Sequence, residues 1–107
     1  MNKPINDYEG LYSVDSNGVI YSHPKKIGFG FTKERTIKIQ HDKDGYAVVY
    51  LRKNKTIKQC KVHRLVADAF LENVNGYTFV IHKDGNRDNN NVNNLEWRKT
   101  TYADKHK

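Results

Sequence analysis

The segment VHRLVADAF, residues 62–70, is the feature that most restricts how this chain can fold. Its apolar residues recur at the spacing i, i+3, i+4, i+7 and i+8, which places them on one face of an α-helix. They are Val62, Leu65, Val66, Ala69 and Phe70. We expect this segment to form the core helix and to stop at Asn75–Gly76, a dipeptide that favours a turn.

The apolar residues before this segment alternate with polar ones in short runs, as is typical of strands with one buried face. The turn residues Asp15–Gly18 separate two such runs and predict a β-hairpin, because Asn-Gly supplies the positive φ that tight hairpin turns need. A mobile basic loop should then lead into a half-exposed strand at Ile37–Gln40, and two further strands should flank Lys53–Asn54. The chain is therefore predicted to have an α+β fold, with a small antiparallel sheet on one core helix.

Length and composition favour a single domain over residues 1–107, since a chain of 107 residues is close to the usual domain size. Leu, Ile, Val and Phe together account for 25 of those residues. This content exceeds that of disordered chains but predicts a thin core. Within the domain we expect an N-terminal hairpin motif (1–24), strands (36–61) and a third region (62–107).

The charge of the chain indicates a polyanionic partner. Its 19 lysines and arginines give a formal net charge of +7, and they are spread along the sequence rather than collected in a tail. A dispersed positive charge on a folded domain favours nucleic acid through release of counterions, so DNA is the first partner to consider. The alternative is a basic surface that serves only solubility.

Cys60 is the only cysteine of the chain, which excludes an internal disulfide and a zinc site built from several cysteines. We expect it to be a small packed residue in a protein of a reducing cytoplasm. The sequence contains no run of about twenty apolar residues and no secretory signal pattern at its start. The protein is therefore expected to stay in the cytoplasm.

The segment TFVIHKDGNRDNNNVNNLEWRK, residues 78–99, combines one histidine with a loop rich in asparagine. Strands are predicted at Thr78–Ile81 and Leu95–Arg98, with the loop between them. Most of its asparagines, together with Asp84–Gly85 and Asp88, are interpreted as turn formers whose side chains bond to nearby main chain. The last residues, TTYADKHK, could begin a short helix capped by Thr100 or Thr101.

Three segments in this order and spacing resemble phage HNH homing endonucleases, including the small modular motif at their N-terminus. They are YEGLYSVDSNGVIYS, VHRLVADAF and HKDGNRDNNNVNNLEW, and the resemblance covers roughly residues 5 to 100. The resemblance implies that the core helix is followed by a ββα-metal (HNH) motif. In this motif two strands and a helix grip one divalent ion, and here the C-terminal helix would be short or truncated.

The resemblance also implies a catalytic site for hydrolysis of phosphodiester bonds in DNA. His82 matches the histidine that acts as general base on the attacking water, and Asn94 matches the asparagine that braces the loop and orients this histidine. Mg²⁺ or another divalent ion would stabilise the charge that develops on the scissile phosphate and the leaving oxygen.

The sequence departs from the family pattern at the two positions that usually supply metal ligands. These positions are occupied by Ile81 and Ala103, whose side chains have no oxygen or nitrogen to offer a hard cation. Asp84 or Asp88 in the loop, and Asp104 one residue further along the last segment, are the alternative ligand candidates. A shift of one residue along a helix turns a side chain by about 100°, which argues against Asp104.

Basic residues throughout the chain are candidate DNA contacts. They are Lys25, Lys26, Lys33, Arg35, Lys38, Arg64, Lys83 and Arg87. His63 and Arg64 are expected on the polar side of the core helix, as phosphate ligands or as a surface pair. Trp97 is predicted to be a core anchor beside Phe70 rather than a residue that stacks on a base.

Three hypotheses for function follow. The first is a DNA-binding endonuclease of the HNH type with His82 as its base. The second is a catalytically silent protein of the same fold, which binds DNA or a protein partner as a phage regulator or inhibitor. The third is an altered form of an active enzyme, in which Ile81 and Ala103 replace natural ligands. Many family members carry a further DNA-reading module, which we expect this sequence to lack.

Overall fold

The structure is a computed structural model that describes residues 2–24, 26–31, 33–73 and 75–99. The described residues form short strands and one α-helix. In chain order these are β1 (Asn2–Pro4), β2 (Tyr12–Asp15), β3 (Ile20–Ser22), β4 (Lys26–Ile27), β5 (Gly30–Phe31), β6 (Arg35–Thr36), β7 (Gln40–His41), β8 (Ala47–Lys53), β9 (Thr56–Lys61), α1 (Val62–Phe70), β10 (Phe79–His82) and β11 (Leu95–Arg98). A 3₁₀ turn, Val92–Asn94, precedes β11.

All strand pairs are antiparallel, in the spatial orders β1-β2-β3-β6, β4-β5, β7-β8-β9 and β10-β11. Helix α1 contacts β2, β8, β9, β10 and β11, so it lies where the sheets meet. The shared core consists mainly of Ile5, Tyr12, Val14, Ile20, Ala47, Val49, Leu51, Val62, Val66, Ala67, Val80 and Leu95. The predicted α+β fold with small antiparallel sheets and one core helix is confirmed. Residues 100–107, where a C-terminal helix is predicted, lie outside the described residues.

The N-terminal hairpin forms around the turn that the sequence predicts. Asp15 Oδ1 accepts hydrogen bonds from the main-chain N–H groups of Asn17 and Val19, both at 2.9 Å. Its second oxygen accepts one from the Tyr21 hydroxyl at 3.0 Å. The turn is closed at Gly18, whose φ of +88° is easily adopted only without a side chain.

Three predicted boundaries are wrong. The strand predicted at Thr78–Ile81 runs from Phe79 to His82. The helix ends at Phe70 rather than at Asn75–Gly76, since Leu71 already has extended backbone angles, with φ −109° and ψ 123°. The Leu71 carbonyl accepts a hydrogen bond from the Trp97 indole at 3.2 Å, a tertiary contact that favours this early end. The strand predicted at Ile37–Gln40 does not form as a unit. Only Gln40 belongs to a strand, β7, while Ile37 follows β6 and packs against the core.

Replacing Gly18 by alanine is expected to lower the free energy of unfolding by about 3 kcal/mol, from a strained left-handed φ and local overpacking. An added Cβ would lie 3.0 Å from Asn90 Cβ and 3.3 Å from Val62 Cγ1. Gly10 is a matched control with φ +81° and no atom within 4 Å of such a Cβ, so Gly10→Ala should cost about 1 kcal/mol. Urea denaturation measures both, and equal losses would refute the role of this close contact.

Candidate active site

His82 is the last residue of β10, at the point where the chain enters the asparagine-rich loop. It pairs in register with Leu95 of β11, and the next main-chain N–H, that of Lys83, donates to the Asn94 carbonyl at 2.7 Å. The Gly85 N–H donates to the His82 carbonyl at 3.0 Å. The main chain on both sides of the loop therefore holds His82 at the open end of a two-stranded ribbon.

The loop after His82 is built around the carboxylate of Asp84. This carboxylate accepts hydrogen bonds from the main chain of Asn86 at 2.7 Å and from the side chains of Asn94 at 2.9 Å and Asn89 at 3.0 Å. The bond from Asn89 contributes most to lowering the pKa of Asp84 below its usual value, followed by those from Asn86 and Asn94. The Asn94 side chain also donates to the Asn89 carbonyl at 2.9 Å, so it contacts both Asp84 and the main chain of the loop.

The hydrogen-bond partner of the His82 ring is Asn90, a residue that the sequence did not single out. Nε2 of His82 lies 2.8 Å from Oδ1 of Asn90, whose side chain is buried. A carboxamide oxygen can only accept a hydrogen bond, so Nε2 carries the proton in this contact. Neutral His82 then has its basic lone pair on Nδ1, and this nitrogen can take a proton from water.

Two aromatic rings from other parts of the chain lie against His82. The centroid of the Tyr46 ring is 6.1 Å from that of His82 and 5.2 Å from that of His63, both in stacked geometry. The rings of His63 and His82 are 4.9 Å apart and tilted by 51°. We call Tyr46, His63 and His82 the ring cluster.

The prediction that His63 lies on the polar side of the helix is wrong, because only 6% of its surface is exposed. The buried face of α1 consists of Val62, His63, Val66 and Ala67, so it is rotated toward His63 relative to the predicted face. Burial lowers the pKa of His63 to about 3, and electrostatic interactions with His82, Lys61 and Arg64 act in the same direction. The imidazole is therefore neutral near pH 7, and among the described residues its Nδ1 has no hydrogen-bond partner.

The described residues do not fit a divalent metal ion in the way that the resemblance implies. Ile81, at one expected ligand position, is apolar and 8% exposed. Within residues 2–24, 26–31, 33–73 and 75–99, no three histidine, cysteine, aspartate or glutamate side chains are grouped to hold an ion. Asp84 is engaged with loop asparagines, and the other position, Ala103, lies with Asp104 outside the described residues.

Some of the candidate DNA contacts are exposed lysines and arginines, and others already donate hydrogen bonds to main-chain carbonyls. Lys33, Arg35, Lys38 and Lys83 are exposed. Arg64 donates to the Thr78 carbonyl and lies over the Trp97 ring, while Arg87 donates to the Asp44 carbonyl and lies 4.5 Å from the Tyr46 ring centroid. Lys25 lies outside the described residues, and Lys26 is described only as part of β4.

The N-terminal half of the chain contacts the loop directly. The Val92 N–H donates to the Ser16 carbonyl at 2.8 Å, and the Asn91 side chain donates to Asn17 Oδ1 at 2.6 Å. Further along, His41 Nε2 lies 2.6 Å from a carboxylate oxygen of Asp88. These contacts join residues more than forty positions apart, so sequence periodicity could not have revealed them. The described helix is too short to cross a membrane.

Comparison with known families identifies both halves of the chain. Residues 3–52 match the NUMOD4 motif, and residues 60–104 match the HNH endonuclease family. The ring cluster draws on both regions, since Tyr46 belongs to the first and the two histidines belong to the second.

Individual relatives agree with these matches. The DNA endonuclease I-HmuI of Bacillus phage SP01 is 42% identical over 95 residues, which cover 89% of this chain and 50% of the relative. The HNH endonuclease L245 of Acanthamoeba polyphaga mimivirus is 38% identical over 88 residues, which cover 82% of this chain and 26% of the relative. The chain thus spans half or less of the length of these relatives.

A solved structure of the HNH homing endonuclease I-HmuI, described as showing DNA binding and cleavage, superposes with a TM-score of 0.78 and 40% sequence identity. The match covers 98% of this chain and 56% of that one. Two adjacent family matches, relatives near 40% identity and a shared fold agree on one assignment: the chain belongs to the HNH homing endonuclease family.

Proposed function

We propose that this chain binds DNA and hydrolyses a phosphodiester bond with His82 as the general base. The hydrogen bond from His82 Nε2 to Asn90 Oδ1 carries this proposal, because it orients the ring and leaves Nδ1 to accept the proton of an attacking water. As Nδ1 takes the proton, the Nε2–H bond to the amide oxygen stabilises the resulting imidazolium. The loop bonds around Asp84 and Asn94 hold this geometry in place.

HNH endonucleases generally use divalent metal ions, and we propose Mg²⁺ as the first ion to test. The described side chains supply no ligand set for this ion. The activity is proposed to reside in one domain, with residues 1–24 as a hairpin motif, 36–61 as strands and 62–107 as the HNH region. A phage relative supports action in the cytoplasm of an infected bacterial host.

DNA contact is proposed through the exposed lysines and arginines of both halves, in particular Lys33, Arg35, Lys38 and Lys83. Phosphate contacts of this kind position a protein on DNA and make affinity fall steeply with salt. Arg64 and Arg87 would first have to give up their present carbonyl partners, so we expect them to contribute less.

A second candidate function is DNA binding without cleavage, and Ile81 is the observation that favours it. The buried side chain of Ile81, next to His82, occupies the position where the resemblance expects a metal ligand. A protein of this kind would keep the fold and basic surface and act as a phage regulator that binds DNA or a protein partner.

A plasmid nicking assay with Mg²⁺ or Mn²⁺, with and without a chelator, separates these functions. Chelator-sensitive nicking is the result expected of the nuclease. Salt-sensitive retention of DNA without nicking would overturn the nuclease proposal and establish the silent binder. Loss of both nicking and retention would contradict DNA as the partner and leave a protein partner as the remaining hypothesis.

Replacing Ile81 by aspartate is expected to raise metal-dependent nicking at least about tenfold, the lower end of the effect of groups that support a metal site. Ile81 faces Glu96 across the strand pair, so an aspartate there would place two carboxylates about 5 Å apart at Cβ. Ile81→Ala is the matched control, because it removes the apolar side chain without adding a ligand. Equal rates for the two variants would contradict the ligand role of this position.

A further inference from the structure

We infer that Tyr46, from the N-terminal NUMOD4 region, is a positioning residue for His82, and that it acts together with His63 of the core helix. The inference rests on the proposed role of His82 as a base. It implies that the N-terminal region completes the catalytic centre in addition to any contact that it makes with DNA.

The first argument is the contact geometry of the ring cluster. One hydrogen bond, from Nε2 to Asn90, anchors His82 but leaves its ring free to rock about that contact. Tyr46 is stacked at an interplanar angle of 29° and His63 is tilted by 51°, so the two rings approach His82 in different orientations. Aromatic pairs at such separations favour particular relative orientations. The cluster therefore restricts the plane of the base.

The second argument is that the main chain fixes Tyr46 before it meets His82. In the turn from β7 to β8, Asp42 Oδ1 accepts hydrogen bonds from the N–H groups of Asp44 and Tyr46, both at 2.9 Å. The Asp42 N–H donates to the Tyr46 carbonyl at 3.0 Å, and Gly45 takes a φ of +86° to close the turn. A residue held at both its N–H and its carbonyl can serve as a rigid support.

The third argument is the set of cations around Tyr46. Lys61 Nζ lies 4.6 Å and the Arg87 guanidinium 4.5 Å from the ring centroid, in cation–π geometry. Arg87 belongs to the HNH loop and also donates to the carbonyl of Asp44, in the turn that carries Tyr46. The turn that carries Tyr46 therefore contacts the asparagine-rich loop through Arg87, in addition to the contact between the Tyr46 and His82 rings.

His63 completes the support because it is buried and neutral. A second imidazolium 4.9 Å from His82 would oppose proton uptake by the base, whereas a neutral ring can pack against it. Burial and the neighbouring positive charges keep the pKa of His63 far below neutrality, which agrees with this packing role. His63 therefore supports the plane of the base without competing for its proton.

The test is ¹⁵N NMR of the histidine rings in the free protein, with neither metal nor DNA, in the wild type, Tyr46→Leu and Tyr46→Phe. Tyr50→Ala is the matched control, since Tyr50 is an exposed tyrosine of β8. We expect His82 to show one tautomer, protonated at Nε2, in the wild type, the Phe variant and the control. Tyr46→Leu should give averaged nitrogen shifts, because the ring plane is no longer held.

Nicking kinetics provide the second readout where the wild type cuts DNA. Tyr46→Leu should then lower kcat about tenfold with KM unchanged, whereas Tyr46→Phe, which keeps the ring, should retain the wild-type kcat. Wild-type nitrogen shifts in folded Tyr46→Leu would overturn the inference. If Tyr46→Leu does not fold, shifts in Tyr46→Phe that differ from the wild type and match no single tautomer would overturn it. A protein that fails to nick but loses the single tautomer in Tyr46→Leu refutes only the proposed function, so the two failures can be distinguished.

Discussion

Replacing His82 by alanine is expected to slow metal-dependent DNA nicking by about 10²- to 10⁴-fold, the usual contribution of a positioned general base. The variant loses the Nδ1 lone pair that would take the proton of the attacking water. It retains the loop bonds around Asp84, which do not involve the histidine ring. The rate of nicking of supercoiled plasmid at saturating protein measures the effect.

The matched control is His23→Ala, which removes a histidine of the N-terminal hairpin that is not part of the ring cluster. It should nick at the wild-type rate. Retention of DNA should be the same for both variants, because retention depends on phosphate contacts with lysine and arginine. If His82→Ala keeps more than about a tenth of the wild-type rate, His82 is not the general base, because a general base contributes at least about a hundredfold to the rate.

The sequence predicted best those elements whose signals are local. The turn at Asp15–Gly18 and the start of α1 at Val62 could be recognised within about ten residues, because turn chemistry and apolar spacing act over that distance. The strand at Leu95–Arg98 has the predicted bounds for the same reason. The position of His82 at the end of a strand followed from the family resemblance.

Features that depend on distant contacts were not predictable in this way. The helix ends early where the Trp97 indole meets the Leu71 carbonyl, a contact between residues 26 positions apart. His63 is buried because Tyr46 and His82 cover it, and both come from other elements. Ala67, four residues after His63, was the one local signal, since a small apolar residue at that spacing extends the buried face toward position 63.

The candidate site shows the same division. The turn-forming role of the loop asparagines follows from residue type, and the structure places Asp84, Asn86 and Asn91 in short side-chain-to-main-chain bonds. Which asparagine meets the His82 ring depends on how the loop folds back on the strand. Asparagine occupies six of the nine positions from 86 to 94, so composition could not distinguish Asn90 from its neighbours.

Acid is expected to destabilise the protein through His63, with a loss of about 3 kcal/mol between pH 7 and pH 4. An unfolded histidine takes a proton near pH 6.5, whereas burial holds the pKa of folded His63 at about 3. The unfolded state therefore binds more protons in this window. The stabilising contribution is complete above pH 6.5 and is lost progressively as the pH falls toward 3.

The measurement is the free energy of unfolding by urea at pH 7 and pH 4, for the wild type and for His63→Phe, which keeps a ring in the cluster without a titrating group. The carboxylates that gain protons at acid pH, including Asp84, are common to both proteins, so the difference between the two losses isolates His63. His23→Phe, the matched control outside the cluster, should lose as much stability as the wild type. If His63→Phe loses as much stability as the wild type, His63 takes up its proton in the folded state. The inference that a neutral His63 ring supports His82 would then have to be rejected.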